Sequence, residues 1–305
     1  MPEKILLVED EAIVAIAVEL LAEEGLQFHL KSSITEVEQR SKQIVLRYRQ
    51  NEEESEIAGT HLLVATGRIP ASGELELDSA GIEIDERGYI LVDDYCRTSQ
   101  GHIYTLGDVN GRGAFTHTSV HDGQVFLDHF LRRGGRRISD RKMTYAMYID
   151  PPLARVGINE LEAAKTGIDC LVGSMPMSSV SRAREKAETG GTIKVVVEKE
   201  SKKILGATVF GVGGDEIIGM IALAMQAELP YTALQHTVIP HPTVSELVPW
   251  IFNNLKPLPL NQAWYSGCRL FCNRQLKGKP AALSECTFNG KLTPVSPNKV
   301  VERFN

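Results

Sequence analysis

The chain has 305 residues, 43% of them hydrophobic and 24% charged, a globular balance that excludes a collagen-like or largely disordered chain. Lys and Arg total 33 against 39 Asp and Glu, for a net charge of −6, which leaves no basic footprint for nucleic acid or for an anionic membrane. Aromatic residues at 6% give no stacking platform for single strands either.

The apolar run at 5–8 is too short for a signal-peptide core, and acidic residues follow it at once. The longest uncharged stretches, such as 217–227, fall short of the roughly 18 residues that suggest a membrane span. A cytoplasmic location is expected. Cys96, Cys170, Cys268, Cys272 and Cys286 are scattered, with no C-x-x-C, so neither a disulfide framework nor a zinc site is indicated.

In chain order, Asp10 can cap a helix to about Glu24, with Ile13, Ile16, Ala17, Leu20 and Leu21 on one face and Gly25 as its stop. Short strands are predicted at 26–30, 34–37 and 44–48, a solvated acidic turn at 52–56, and a buried strand at 61–65 that Pro70 ends. Strands at 88–93 and 103–106 follow, then a loop with Gly111 and Gly113, a helix from about Thr116 to Leu131, and a solvated basic loop at 132–137. The third stretch reads as strands first and helices later. Strands are predicted at 145–149 and 154–156, and a short helix from Asn159 to near Gly167. A hairpin pairs 192–198 with 204–210 around the turn at 199–203. An apolar helix at 215–229 stops at Pro230, and His241-Pro242 opens a last helix toward Asn254. Periodicity is lost from 257 to 305, which reads as an irregular tail. The fold class is α/β plus α+β.

Three motifs carry chemistry. Ala65-Thr66-Gly67-Arg68-Ile69-Pro70 ends an apolar run in a glycine, where a ligand's backbone or phosphate can approach closely. Gly107-Asp108 places a carboxylate at the end of a predicted strand, where it can accept hydrogen bonds from sugar-alcohol hydroxyls. The helix starting near Thr116 offers free N–H groups to an electron-rich ligand edge. In His241-Pro242-Thr243-Val244-Ser245-Glu246, Pro242 fixes a turn and Glu246 lies about one helical turn on. A carboxylate there fixes the imidazole tautomer and suits the histidine to acid–base work on thiols. His117 and His121 are four residues apart, but nothing nearby completes a metal site. The acidic cluster at 9–11 superficially resembles a phosphoreceiver domain, yet no Asp lies between Asp10 and Asp78 to accept the phosphoryl group.

In this order and at these separations the three motifs resemble the FAD-dependent pyridine nucleotide–disulfide oxidoreductases, such as dihydrolipoamide dehydrogenase and mercuric reductase, over about residues 1–256. The resemblance implies the C-terminal half of an NAD(P)-binding domain at 1–70 and the C-terminal part of an FAD-binding domain at 71–137, both Rossmann-like and partial. An α+β dimerisation domain would follow at 138–256. It implies that Gly67 approaches the nicotinamide nucleotide and that Gly107 and Asp108 hold the FAD ribityl chain. The backbone at Ala114, Phe115, Thr116 and His117 would face the flavin. His241, polarised by Glu246, would act across a homodimer as the acid–base group. The family's two G-x-G-x-x-G loops and its C-x-x-x-x-C pair are absent. The chain is therefore expected to be the C-terminal part of such an enzyme, inactive alone. The family activity is electron transfer from NAD(P)H through FAD to a disulfide, metal ion or quinone-like acceptor, with a thiol, disulfide or other small molecule as substrate partner. The alternative is a non-catalytic remnant that dimerises or binds a partner.

Overall fold

A computed structural model of the protein describes residues 11–258. Helix α1 (Glu11–Glu23) is closed by Gly25 at φ 93°, and the Gly25 and Leu26 N–H groups return to the carbonyls of Ala22 and Leu21. Asp10, its expected cap, lies outside the described residues. Strands β1 (Ser32–Arg40), β2 (Gln43–Gln50) and β3 (Glu53–Gly59) form an antiparallel meander. Residues 26–30 are not a strand.

The acidic segment at 52–56 is not a turn either; most of it is β3. Only Asn51 and Glu52 turn, at φ 49° and 70°, the backbone of a tight two-residue hairpin. The glutamates are tolerated because cross-strand arginines meet them. Arg47 stands between Glu36 and Glu56 in register, and Arg49 reaches Glu54 at 2.9 Å.

Residues 61–65 form no strand and are not buried. Leu63 is 88% and Val64 71% exposed. Four apolar residues behind a histidine become a buried strand only between neighbours, and no strand of the described residues pairs with them. The strands predicted at 88–93 and 103–106 reduce to isolated bridges, Ile84 with Ile90 and Arg97 with Tyr104. Asp85 accepts from the Arg87 and Tyr89 N–H groups at 2.9 and 2.8 Å, and Asp93 from those of Tyr95 and Arg97 at 2.8 and 3.0 Å. These local carboxylate bonds fold the chain into turns in place of a ladder.

Helix α2 (Thr116–Arg132) follows, buried along Thr118, Asp122 and Val125. The remaining elements are β4 (Thr144–Met147), β5 (Leu153–Gly157), α3 (Glu160–Thr166), β6 (Cys170–Pro176), α4 (Ser181–Glu185), β7 (Thr192–Glu198), β8 (Ile204–Phe210), α5 (Gly214–Gln226), α6 (Tyr231–Gln235), α7 (Leu247–Ile251) and β9 (Lys256–Pro257). Sequence reasoning missed β6, α4, α6 and β9. The six strands make one antiparallel sheet in the order β4-β5-β8-β7-β6-β9.

One sheet face, with Val156, Ile193, Val195, Val197 and Val209, packs on Ile217, Ile218 and Ile221 of α5 and on Leu247, Val248 and Ile251 of α7. Each such side chain contributes about 1.5–3 kcal/mol by leaving water. Elsewhere on the sheet, Leu153 and Phe210 meet Ile13 and Ala17 of α1, and Val196 meets Ala163 of α3. Most of the tail predicted at 257–305 lies outside the described residues.

Candidate functional site

Gly107 sits at φ 82° and ψ −161°, a conformation that favours glycine. A Cβ there would come within 3.0 Å of Ser119 Oγ. The next residue, Asp108, opens a 3-10 turn to Asn110, with its carboxylate 44% exposed. Arg68 Nη1 donates to Asp108 Oδ2 at 2.6 Å and lies 3.4 Å from the Ala114 carbonyl. Ser119 Oγ donates to Asp108 Oδ1 at 3.3 Å. Two motifs 40 residues apart thus meet at one carboxylate. Gly67 itself is exposed at φ 119°, and a Cβ there would meet open space.

Ala114, Phe115, Thr116 and His117 lie exposed at the start of α2. The Phe115 carbonyl accepts from the Thr118 and Ser119 N–H groups, at 3.0 and 3.1 Å. The Thr116 and His117 N–H groups find no acceptor among the described residues, as the first turn of a helix leaves them. The Phe115 ring stacks on Tyr145 of β4 at 5.6 Å and on His117 at 5.2 Å. His117 Nε2 donates to the Thr144 carbonyl at 2.7 Å.

Beneath the turn is a residue that sequence reasoning missed. Asp122 is 2% exposed and accepts from the Gly107 N–H at 2.9 Å and from Asn110 Nδ2 at 2.8 Å. Its other oxygen pairs with Arg141 Nη2. The available signal was an acid four residues after Thr118 and three before Val125, on the stripe that α2 buries.

The second site is at the other end of the sequence. His241 Nδ1 is 2.8 Å from Glu246 Oε1, and Glu246 Oε2 accepts from the Thr243 N–H at 3.0 Å. That backbone bond, and next the bond from His241, hold the Glu246 carboxyl below its ordinary range. The imidazole is 67% exposed, so Nε2 faces solvent. Gln235, Thr237, Ile239, Glu246, Pro249, Trp250 and Asn253 line an open cleft of about 280 Å³ beside it. Among the described residues no hydrogen bond or ion pair joins this dyad to Asp108.

Other candidate groups are inert by geometry. Burial, and next the Asp122 charge, push the Cys96 thiol up to about 12, so it stays protonated and is no nucleophile at neutral pH. Burial, with the Arg141 and Arg136 charges, lowers His121, whose Nδ1 accepts from Arg141 Nε at 3.3 Å. No group of three metal-ligating side chains gathers among the described residues. No helix among them is long and apolar enough to cross a membrane.

Residues 2–123 match the family profile described as pyridine nucleotide-disulphide oxidoreductase, and residues 143–252 match that family's dimerisation domain. The probable pyridine nucleotide-disulfide oxidoreductase RclA of Escherichia coli is 32% identical over 249 residues, covering 81% of this chain and 56% of RclA. Mercuric reductase of Staphylococcus aureus is 31% identical over 228 residues, covering 75% of this chain and 42% of that enzyme. Dihydrolipoyl dehydrogenase of Bacillus subtilis is 29% identical over 244 residues, covering 80% and 52%. The chain therefore spans about half the length of the curated relatives it matches. The solved structure of the HOCl-induced flavoprotein disulfide reductase RclA superposes with a TM-score of 0.76 at 31% identity, over 83% of this chain and 57% of that one. LpdA from Mycobacterium tuberculosis, at 21% identity and a TM-score of 0.74 over 81% and 53%, shares the fold. With both segments matched to a single family and the fold held in common, this chain belongs to the pyridine nucleotide-disulphide oxidoreductases.

Proposed function

We propose that the chain carries part of the flavin site and the acid–base dyad of a homodimeric, cytoplasmic enzyme that moves electrons from NAD(P)H to a disulfide, metal ion or quinone-like acceptor. In this reading residues 1–70 and 71–137 serve NAD(P) and FAD, and 138–256 dimerises. The observation that carries it is the half-exposed Asp108 carboxylate, on a glycine turn beside two unsatisfied helix N–H groups. That donor and acceptor set fits a cofactor with a polyol chain and an electron-rich ring. The close packing fits too, since a Cβ at Gly113 would meet Thr118 at 2.7 Å and at Gly107 would meet Ser119.

FAD, when bound, supplies a two-electron carrier between nicotinamide and acceptor. Asp108 would accept hydrogen bonds from its hydroxyls, with Arg68 sharing or releasing the carboxylate. The Thr116 and His117 N–H groups would offer the positive end of α2 to its electron-rich ring. His241 donates Nδ1–H to Glu246, which leaves Nε2 free to take and return a proton at a thiol.

The sequence holds no Gly-rich pyrophosphate loop, so the chain keeps only part of the contacts and is inactive alone. Purified chain is expected to show no stoichiometric flavin band, while titrated FAD binds weakly and Asp108→Ala abolishes that binding. Equal FAD affinity with and without the Asp108 carboxylate would sink the reading. The alternative, a module that only dimerises, is favoured by the large core of the matched dimerisation segment. No FAD binding by a chain that still dimerises would select it.

A further inference from the structure

Asp108 presents its side chain upward to Arg68 and Ser119, and its backbone is held from below. The N–H immediately before it, that of Gly107, donates to the buried Asp122 carboxylate. The same oxygen takes Asn110 Nδ2, from the end of the 3-10 turn. Asn110 also donates to the Thr105 carbonyl at 3.1 Å and accepts the Arg112 N–H at 2.9 Å, so its amide ties both flanks of the turn. Arg141 closes the set. Its guanidinium pairs with Asp122, lies 3.3 Å from the Arg112 carbonyl, and reaches His121. Its side chain is 9% exposed. It lies between the two matched segments, at 124–142, three residues before β4.

We propose that Asp122 is the positioning residue of the Asp108 turn, with Arg141 as the counter-ion that ties the turn to the entrance of the dimerisation domain. This rests on the reading of Asp108 as a flavin ligand. A carboxylate this deeply buried persists only when every oxygen is partnered. Arg141 partners one oxygen here, and the backbone and a side chain of the turn itself partner the other. Glycine at φ 82° has no steric preference of its own for that geometry, so the hold has to come from hydrogen bonds. An ion pair serving only as ballast for α2 would have no reason to take the Gly107 N–H.

The test uses the full chain and four proteins: unsubstituted, Asp122→Asn, Arg141→Gln and Val125→Ala. Val125 is fully buried on the same helix, packed with Cys96 and Ile138, and its apolar side chain takes no part in the hydrogen bonds of the turn. Amide exchange by NMR reads the Gly107 N–H directly. Its exchange should speed up by about 10- to 100-fold in Asp122→Asn, the size of one lost charge-assisted bond. Arg141→Gln should move it in the same direction by less, and it covers the case in which Asp122→Asn fails to fold. FAD affinity, from flavin fluorescence, should fall in step with exchange. Val125→Ala should lower the melting temperature with FAD affinity and Gly107 exchange unchanged. Unchanged Gly107 exchange in a folded Asp122→Asn or Arg141→Gln chain overturns the positioning role. So does a loss of FAD affinity in Val125→Ala equal to that in Asp122→Asn at matched stability. Failure of the unsubstituted chain to bind FAD overturns the flavin reading, and the exchange data still decide the role of Asp122.

Discussion

At His241 one imidazole nitrogen is committed to Glu246 and the other is open to water. The Glu246 carboxyl is held below its ordinary value of 4.5 by the Thr243 N–H and by His241. Its folded value is depressed, so the stabilisation is fully present above pH 4.5 and is lost as pH falls through the lower native value. The difference in stability between the unsubstituted chain and Glu246→Gln should therefore be constant from pH 7 to about 5 and shrink below the ordinary carboxylate range. Urea unfolding at stepped pH measures it, and a difference that did not shrink below the ordinary carboxylate range would contradict the hold on the Glu246 carboxyl. This pair was legible in the sequence because proline fixes the turn and the glutamate follows at short range. Asp122 was not. Its partners Gly107, Asn110 and Arg141 lie 12 to 19 residues away, and a single acid between His121 and Gly123 reads as a solvated position until the fold brings them together.

Among the elements, the β7–β8 hairpin was readable to the residue. Alternation over Thr192–Glu198 and Ile204–Phe210 brackets a polar turn, and both strands are buried by helices. The meander at 32–59 was only half readable, because the glutamates of β3 look like solvent until Arg47 and Arg49 are placed opposite them. Residues 61–65 show the converse, since apolar content predicts burial only where something is there to bury it. Glycine spacing was opaque at this scale too. Gly206 of β8 faces Gly157 of β5, and a Cβ on Gly206 would meet the Ile158 carbonyl at 1.9 Å. Gly219 on the exposed side of α5 has open space. Gly206→Ala should cost about 1–3 kcal/mol or more by overpacking. Gly219→Ala should add roughly 0.5–1 kcal/mol by helix propensity. Urea denaturation of both variants checks the opposite signs, and a neutral Gly206→Ala would mean that the two strands are less closely apposed.

For the molecule as a whole, the matched dimerisation segment leads to an assembly prediction. Trp250, which lines the cleft together with Glu246, is 61% exposed, and an exposed tryptophan is the commonest kind of interface anchor. The chain should sediment as a dimer at tens of micromolar. Trp250→Ala should raise the dimer dissociation constant about tenfold or more, the usual worth of a buried aromatic anchor. A monomer at that concentration would refute it.

How two copies can meet is limited by the borders of the six-stranded sheet. On one border β9 supplies only two residues, one of them Pro257 with no N–H to offer. On the other, β4 has four residues, and the Thr144 carbonyl is already occupied by His117. Neither β9 nor β4 offers more than a few rungs to an added backbone. Growth of the sheet from copy to copy, the route by which exposed ladders turn into fibres, is closed at these residues. At these two strands a second chain would have to be recognised by the shape and chemistry of side chains and not by added rungs, which is what makes such a contact specific.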